Sequence, residues 1–166
     1  MPSLATFSLN TPARRARATR ITTEVMIDCH PDALFDYVAN PSHWCEWHPN
    51  TVAVHAAHNE PMRVGEQWIE EIHLAGRVDL YHWVVIASEP GERWVIGCRS
   101  VHSEARIVYQ ITLTRSGCRF TRTLEYRSHH RLWRLLDGTL LRWVMGRQSR
   151  RAMQRLKRQA EALLPE

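Results

Sequence analysis

Several features that would point to a common class of protein are missing from this sequence of 166 residues. It has no run of about 18 apolar residues, which excludes a transmembrane helix. Its first ten residues show no basic segment followed by an apolar core, so we expect no secretory signal. The patterns GxxxxGK, GxGxxG and HExxH do not occur, which argues against the nucleotide-dependent and zinc-protease classes that use them. The length suits one domain that is stable without a metal or a disulfide.

Cysteine is scarce and carries no metal or redox pattern. The four cysteines are Cys29, Cys45, Cys98 and Cys118, and no two of them form a CxxC pair. This spacing predicts reduced thiols in a reducing compartment, mostly as small core residues. We therefore expect a cytoplasmic protein.

Ten histidines raise the question of a metal site. The densest group is His43, Cys45 and His48. On a helix, however, positions 43 and 45 point about 200° apart, so the two side chains cannot share a metal. The spacing also matches no standard zinc pattern. We therefore expect neither a metal nor another cofactor.

Positive charge is concentrated at the two ends of the chain. The sequence has 22 basic and 17 acidic residues and a formal net charge of +5. Such ends attract phosphate, whether in anionic lipid or in nucleic acid. A solvated helix face and a loose tail would produce the same composition. Nucleic acid is the less favoured partner, because few aromatic residues lie between the basic ones. The residues that could meet an anionic membrane are Arg147, Arg150, Arg151, Arg155, Lys157 and Arg158.

Local patterns predict a strand followed by two short helices. Alternation of apolar residues begins at Ile21 and is typical of a strand. Pro31 suits the first turn of a helix, which Asn40 and Pro41 end. Ser42 is placed to cap a short second helix that runs to Trp47.

The remainder reads as a run of strands and then a long helix. Short loops between the strands imply antiparallel neighbours. Helical spacing returns from about 131 to 164, where Gly138 and Gly146 could mark a kink. We assign residues 1–19 to a basic tail and 20–166 to one domain. The predicted later strands are 51–57, 66–75, 77–88, 93–101, 105–115 and 118–127.

This order of elements predicts an α+β fold. A curved antiparallel sheet of about seven strands leaves one apolar face open, and only the two short helices and the long C-terminal helix can cover it. A long helix across a curved sheet leaves a cavity. For register, a two-residue turn at Ser116-Gly117 would place Ile111 opposite Arg122. A turn at His102-Ser103 would place Ile96 opposite Tyr109.

The segments 27–41 and 43–49 resemble the N-terminal signature of the polyketide cyclase/dehydrase and lipid-transport family. That family belongs to the SRPBCC, or START/Bet v 1-like, superfamily with the helix-grip fold. Gly65, Trp83 and the strand 120–126 agree with it, and the resemblance spans about 21–164. It implies a binder of hydrophobic or aromatic small molecules, with cyclase or aromatase activity in some relatives.

We predict that the concave face of the sheet lines a ligand pocket. The seven tryptophans favour a pocket with aromatic walls, although such rings can equally fill a core. Glu70, Tyr109 and Arg122 are candidate catalytic groups. Either Glu70 or a ligand anion must meet a buried Arg122, or the register differs and it faces water. The predicted lining is Trp68, Glu70, Ile72, Tyr81, Trp83, Trp94, Ile96, Ile107, Tyr109, Ile111, Phe120, Arg122, Leu124, Leu140 and Val144.

Three functions are compatible with these features. The first is binding or transport of a hydrophobic or aromatic small molecule, or a lipid, in the cavity. The second is a cyclase, aromatase or dehydratase that uses the same pocket without metal or nucleotide, because such chemistry needs an apolar pocket and groups that move protons. The third is a basic surface module for anionic membranes or nucleic acid.

Overall fold

The computed structural model describes residues 18–74, 77–99, 103–128 and 140–164. Most of the predicted basic tail lies outside these residues, as do the first part of the predicted long helix, Gly138 and the turn residue His102. The elements are β1 Thr19–Ile27, α1 Pro31–Val38, a 3-10 turn Pro41–His43, α2 Trp44–Trp47, β2 Thr51–His55, β3 Gln67–Leu74, β4 Arg77–Glu89, β5 Arg93–Arg99, β6 Ser103–Leu113, β7 Cys118–Ser128 and α3 Leu140–Leu163.

The described strands form one curved sheet of seven strands, in the order β1-β7-β6-β5-β4-β3-β2. Every neighbouring pair is antiparallel, as the short loops predict. The predicted α+β class is therefore confirmed. The strand ends differ from the predicted ones by up to two residues. In β6 both ends shift by two residues, so that it begins at Ser103 and ends at Leu113.

Two registers differ from the predicted ones by two residues. Tyr109 lies opposite Arg122, and Ile96 lies opposite Ile107. The predicted two-residue turn at Ser116-Gly117 is wrong because residues 114–117 all belong to the connection, where the Thr114 amide donates to the Gly117 carbonyl at 2.9 Å. Since side chains alternate with a period of two, a shift of two residues leaves every side chain on its predicted face.

The helical segment before β2 is capped differently from the prediction. The Asn40 side-chain oxygen accepts a hydrogen bond from the Ser42 amide at 3.1 Å. Ser42 therefore lies inside the 3-10 turn instead of capping it. Pro31 opens α1 as expected, and the His30 ring caps it by accepting from the Asp32 amide at 3.3 Å. These caps fix where α2 begins, and so which of its side chains reach the sheet.

The helix α3 packs against β1 and α2. The Thr23 and Ser149 hydroxyls are 2.8 Å apart, and the Asp28 amide donates to the Glu161 carboxylate at 3.1 Å. The Lys157 ammonium donates to the Met26 carbonyl at 2.8 Å. One end of the concave face is thus closed by α1 and α2, and its β1 side is flanked by α3.

Candidate functional site

An aromatic cluster lies between α2 and the concave face. Trp44, which is fully buried, is its centre. The Trp44 ring centroid is 5.3 Å from that of Trp68, 5.8 Å from Trp83 and 6.3 Å from Trp94. The Trp44 indole N–H donates to the Val38 carbonyl at 3.2 Å, which anchors α2 to α1. Offset and edge-to-face contacts of this kind stabilise aromatic pairs beyond the burial of their area.

Exposure along the concave face changes from one end to the other. Beneath α1 and α2 the inward side chains, such as Trp94 and Phe120, are fully buried. Near the opposite end, Ile72, Tyr81 and Tyr126 are half-buried, and Tyr81 and Tyr126 pack against the core. The concave face is therefore more exposed at this end than beneath the two helices.

Glu70 is a buried carboxylate on the concave face, with 1% of its surface exposed. The Trp83 indole donates to one carboxylate oxygen at 2.7 Å, and the Thr51 hydroxyl donates to the other. The second oxygen also lies 3.6 Å from Nδ1 of His48. Hydrogen bonds from neutral donors satisfy the carboxylate and hold it in one orientation.

His48 follows α2 directly and is also buried. Its ring is 3.9 Å from the Trp47 ring and 4.5 Å from the Trp44 ring. Burial lowers the pKa of His48 below its usual range, because the charged ring would lose its hydration. The Glu70 carboxylate opposes this shift, and the Arg122 charge adds to it. The ring is therefore neutral at pH 7.

Arg122 lies opposite Thr23 of β1 and Tyr109 of β6. One guanidinium nitrogen donates to the Ser149 hydroxyl at 3.0 Å, whereas Nε has no partner among the described residues. Among the described residues, no carboxylate pairs with this guanidinium. The guanidinium therefore does not meet Glu70, because α3 brings Ser149 over this part of the sheet. That a ligand anion meets it stays a prediction.

Within the part of the chain that the structure describes, five buried side-chain atoms of this cluster lack any hydrogen-bond partner. Unpaired polar atoms of this kind are rare in folded proteins, since each costs about 1–3 kcal/mol. Two of the residues that carry these atoms are neighbours in the fold, since the ring centroids of Trp47 and Tyr109 are 6.2 Å apart. Burial raises the pKa of Tyr109 to about 12, so its hydroxyl keeps its proton. The atoms are Trp47 Nε1, His48 Nε2, Trp68 Nε1, Tyr109 Oη and Arg122 Nε. We call these five residues the inner polar cluster.

The predicted lining residues lie on the concave side of the described strands. Ile72 and Tyr81 are half-buried, Arg122 is half-buried with its Nε enclosed, and Val144 of α3 is half-buried. Leu140 begins α3, but its side chain lies outside the described part. The other predicted residues are buried: Trp68, Glu70, Trp83, Trp94, Ile96, Ile107, Tyr109, Ile111, Phe120 and Leu124. Whether they line a ligand pocket remains a prediction.

Sequence reasoning missed the contribution of α2 to this site. Trp44, Trp47 and His48 have the spacing i, i+3 and i+4, which places side chains on one helix face. That pattern could have identified them. The sequence predicts that His43 and Cys45 point apart. In the structure His43 precedes α2 and contacts Glu46 at 3.1 Å, whereas Cys45 lies in α2 and is exposed. Cys29, Cys98 and Cys118 are buried.

The basic residues of α3 are not equivalent. Lys157 contacts Met26 and Glu161 and is half-buried, so it is not part of a free basic face. Arg155 and Arg158 line a cleft of about 300 Å³ together with Glu46 and Gln159. The exposed arginines of this helix are Arg142, Arg147, Arg150, Arg151, Arg155 and Arg158.

Solved structures define the class of this fold. A START superfamily protein from Mycobacterium smegmatis matches with a TM-score of 0.70 at 11% identity, over 87% of this chain and 98% of that one. The di-domain ARO/CYC protein BexL of the BE-7585A biosynthetic pathway matches with a TM-score of 0.68 at 16% identity, over 87% of this chain and 50% of that one. Ara h 8.0201 matches with a TM-score of 0.64 at 8% identity, over 88% and 99%. The fold is the START/Bet v 1-like helix-grip fold.

The family model for polyketide cyclase / dehydrase and lipid transport matches residues 18–161. The chain therefore belongs to that family, as the motifs around α1 and α2 imply. No curated protein sequence is significantly similar to it. Among the described helices, none is long and apolar enough to cross a membrane.

Proposed function

We propose that this protein binds an aromatic, predominantly hydrophobic small molecule that carries an oxygen acceptor, with that oxygen directed to the inner polar cluster. The observation that carries the proposal is the group of buried N–H and O–H donors without partners on an otherwise apolar, aromatic face. An apolar wall with a few convergent polar groups is the usual composition of a small-molecule site.

Charge and hydrogen bonding favour an anionic or strongly polarised oxygen. Arg122, Tyr109, Trp47 and Trp68 offer unpaired donors, whereas Glu70 already accepts two hydrogen bonds. A carboxylate, an enolate or a polarised carbonyl would satisfy these donors, and hydrogen bonds to a charged group are the stronger kind. Membership of a family that includes cyclases and lipid carriers supports an internal ligand.

Loss of Arg122 should remove the preference for an anionic ligand. We expect naphthoate to quench the tryptophan fluorescence of the protein and to bind more tightly than neutral naphthol. In Arg122→Gln the affinity for naphthoate should fall about tenfold or more, the cost of one charged hydrogen bond. The affinity for naphthol should change little, because its ring contacts remain.

Arg119→Gln is the matched control. Arg119 lies on the same strand but is exposed, on the face that points away from the helices. Its loss should leave both affinities unchanged. If Arg122→Gln and Arg119→Gln bind naphthoate equally well, the oxygen does not meet Arg122. If wild-type protein binds neither compound, the proposed aromatic-ligand function is wrong.

A second candidate function is docking to an anionic membrane surface, which would suit a lipid carrier. The specific observation is that five of the six exposed arginines of α3, all except Arg142, fall within about 140° of its circumference. No acidic residue interrupts the sequence from Leu140 to Arg158. Arginines near an anionic surface contribute about 1 kcal/mol each.

Charge reversal on α3 should therefore weaken vesicle binding. We expect wild-type protein to float with vesicles of phosphatidylcholine and phosphatidylserine, and not with phosphatidylcholine alone. Arg147→Glu combined with Arg151→Glu should reduce the bound fraction at least tenfold, and added salt should do the same. The charge-matched control combines Arg119→Glu and Arg99→Glu on the sheet. Equal losses in the two double variants would show that net charge, and not this helix face, drives adsorption.

A further inference from the structure

A polar cleft between α2 and α3 lies outside the aromatic cluster. Its volume is about 300 Å³, and Glu46 of α2 forms one wall. The wall on α3 consists of Arg155, Arg158 and Gln159. These three residues have the spacing i, i+3 and i+4, which brings them to one side of the helix. The cleft therefore has two positive charges on one wall and a negative charge on the other.

The Glu46 carboxylate is held in one orientation. The Tyr37 hydroxyl donates to one carboxylate oxygen, and Nδ1 of His43 lies 3.1 Å from the other. The Tyr37 and His43 rings stack with their centroids 4.6 Å apart, which positions both partners. Partial burial raises the pKa of Glu46, but the two hydrogen bonds together lower it more, so this pKa lies below its ordinary value. The carboxylate is therefore charged at pH 7.

The two guanidinium groups of the cleft have no carboxylate partner among the described residues. Glu46 pairs with His43, and neither Arg155 nor Arg158 forms an ion pair with it across the cleft. A guanidinium without a carboxylate partner keeps its donors available for another oxyanion. Charges of both signs thus line one cleft without neutralising each other.

We propose that this cleft binds a zwitterion in which a phosphate ester lies a few bonds from a primary amine. The phosphate lies against Arg155 and Arg158, because the arginine fork matches phosphate oxygens. Phosphate has oxygens on more than one side, so it can engage two guanidiniums at once. The ammonium donates to the Glu46 carboxylate. A quaternary amine has no N–H group and would lose that hydrogen bond.

Two sources can supply this chemistry. One is a free phosphorylated amine, and the other is the headgroup of a phospholipid such as phosphatidylethanolamine. The cleft shares no lining residue with the inner polar cluster. Binding here therefore does not depend on the aromatic ligand proposed for the interior.

Isothermal titration calorimetry with three small probes tests the assignment. At constant ionic strength, we expect phosphoethanolamine to bind at least about fivefold more tightly than inorganic phosphate, because it adds a second charge pair, and fivefold is the upper range for partly exposed pairs. Ethanolamine alone should bind more weakly than phosphoethanolamine, because it meets only the carboxylate.

Variants of the two walls should affect different parts of the probe. In Glu46→Gln, phosphoethanolamine should lose its advantage over phosphate, since the charge that meets the ammonium is gone. In Arg155→Gln and in Arg158→Gln, the affinity for both phosphate compounds should fall at least about fivefold, while the ratio between the two affinities persists. Thermal unfolding checks that each variant is folded.

Arg150→Gln and Glu71→Gln are the matched controls. Arg150 is an exposed arginine of α3 outside the cleft. Glu71 pairs with a histidine near the surface, as Glu46 does. Both variants should bind phosphoethanolamine as wild type does.

Two results would overturn the assignment of the cleft. One is a wild-type protein that binds phosphoethanolamine no more tightly than phosphate. The other is a loss of affinity in Arg150→Gln as large as that in Arg155→Gln, because net charge would then explain the binding. Naphthoate binding is measured separately, so failure of the aromatic-ligand proposal and failure of this one can be told apart.

Vesicle flotation distinguishes the two sources. The vesicles contain phosphatidylglycerol and phosphatidylcholine, with or without phosphatidylethanolamine. If the ligand is a lipid headgroup, phosphatidylethanolamine should raise the bound fraction of wild type and not that of Glu46→Gln. If the bound fraction is the same in both vesicles while phosphoethanolamine binds in solution, the ligand is the free compound and the assignment of the cleft stands.

Discussion

Trp44→Ala should destabilise the protein more than other single truncations of the aromatic cluster. The indole is fully buried and contacts three sheet tryptophans and the His48 ring. Its removal leaves a large cavity and an unpaired Val38 carbonyl. Truncation of a buried tryptophan costs about 3–5 kcal/mol, and for a domain of this size the midpoint of thermal unfolding should fall by roughly 10 °C.

Trp143→Ala is the control for this prediction. Trp143 lies on α3 with 56% of its surface exposed, and the Arg147 guanidinium is 5.6 Å from its ring centroid. Loss of an exposed cation–π contact costs about 0.5–1 kcal/mol. Thermal and urea unfolding of both variants would measure the difference. Similar midpoints for the two variants would contradict the central role of Trp44.

The second large effect is expected at Gly117, in the connection between β6 and β7. Its φ of +77° is in the left-handed region. A Cβ atom there would lie 2.2 Å from the Ile27 carbonyl oxygen and 2.9 Å from the Cys29 amide nitrogen. Both are backbone atoms, so they cannot rotate away. Gly117→Ala should therefore displace the junction of β1 and α1, where the sheet meets the helices.

Gly65→Ala is the control, because it measures the cost of the left-handed backbone conformation without a steric clash. Its φ is +88°, yet nothing lies within 4 Å of the added Cβ. Gly65→Ala should cost only the left-handed conformation, about 1–2 kcal/mol. Gly117→Ala carries that cost and about 1–3 kcal/mol of overpacking in addition. Urea unfolding should show Gly117→Ala as clearly the less stable variant. Equal free energies of unfolding would mean that the connection relaxes without strain.

The sheet could be predicted from the sequence because its signals are local. Alternating apolar residues identified each strand, and short loops made the neighbours antiparallel. Alternation did not settle the position of Trp83, because both faces of its strand are apolar, and the inward positions of Trp68, Trp83 and Trp94 were inferred from the expected turns. Even the registers that were wrong by two residues kept the faces right, because the side-chain period is also two.

The polar centre of the site could not be found in this way. Sequence reasoning weighed His48 only as a metal ligand beside His43 and Cys45, since these are its neighbours in the chain. Its partner in the fold is Glu70, on a strand that closes beneath α2. Which neutral donors satisfy a buried carboxylate depends on how the helix sits on the sheet, and no local pattern reports that.

By itself, the sequence determined the order of elements, the antiparallel sheet, its apolar face and the family motif around α1 and α2. The tertiary structure alone decided the partners of the buried polar groups. Arg122 meets Ser149 because α3 crosses that part of the sheet, and five buried polar atoms of the cluster find no partner among the described residues. The physical reason is range: periodicity and turn chemistry act over a few residues, whereas hydrogen bonds of buried groups depend on the packing of distant elements.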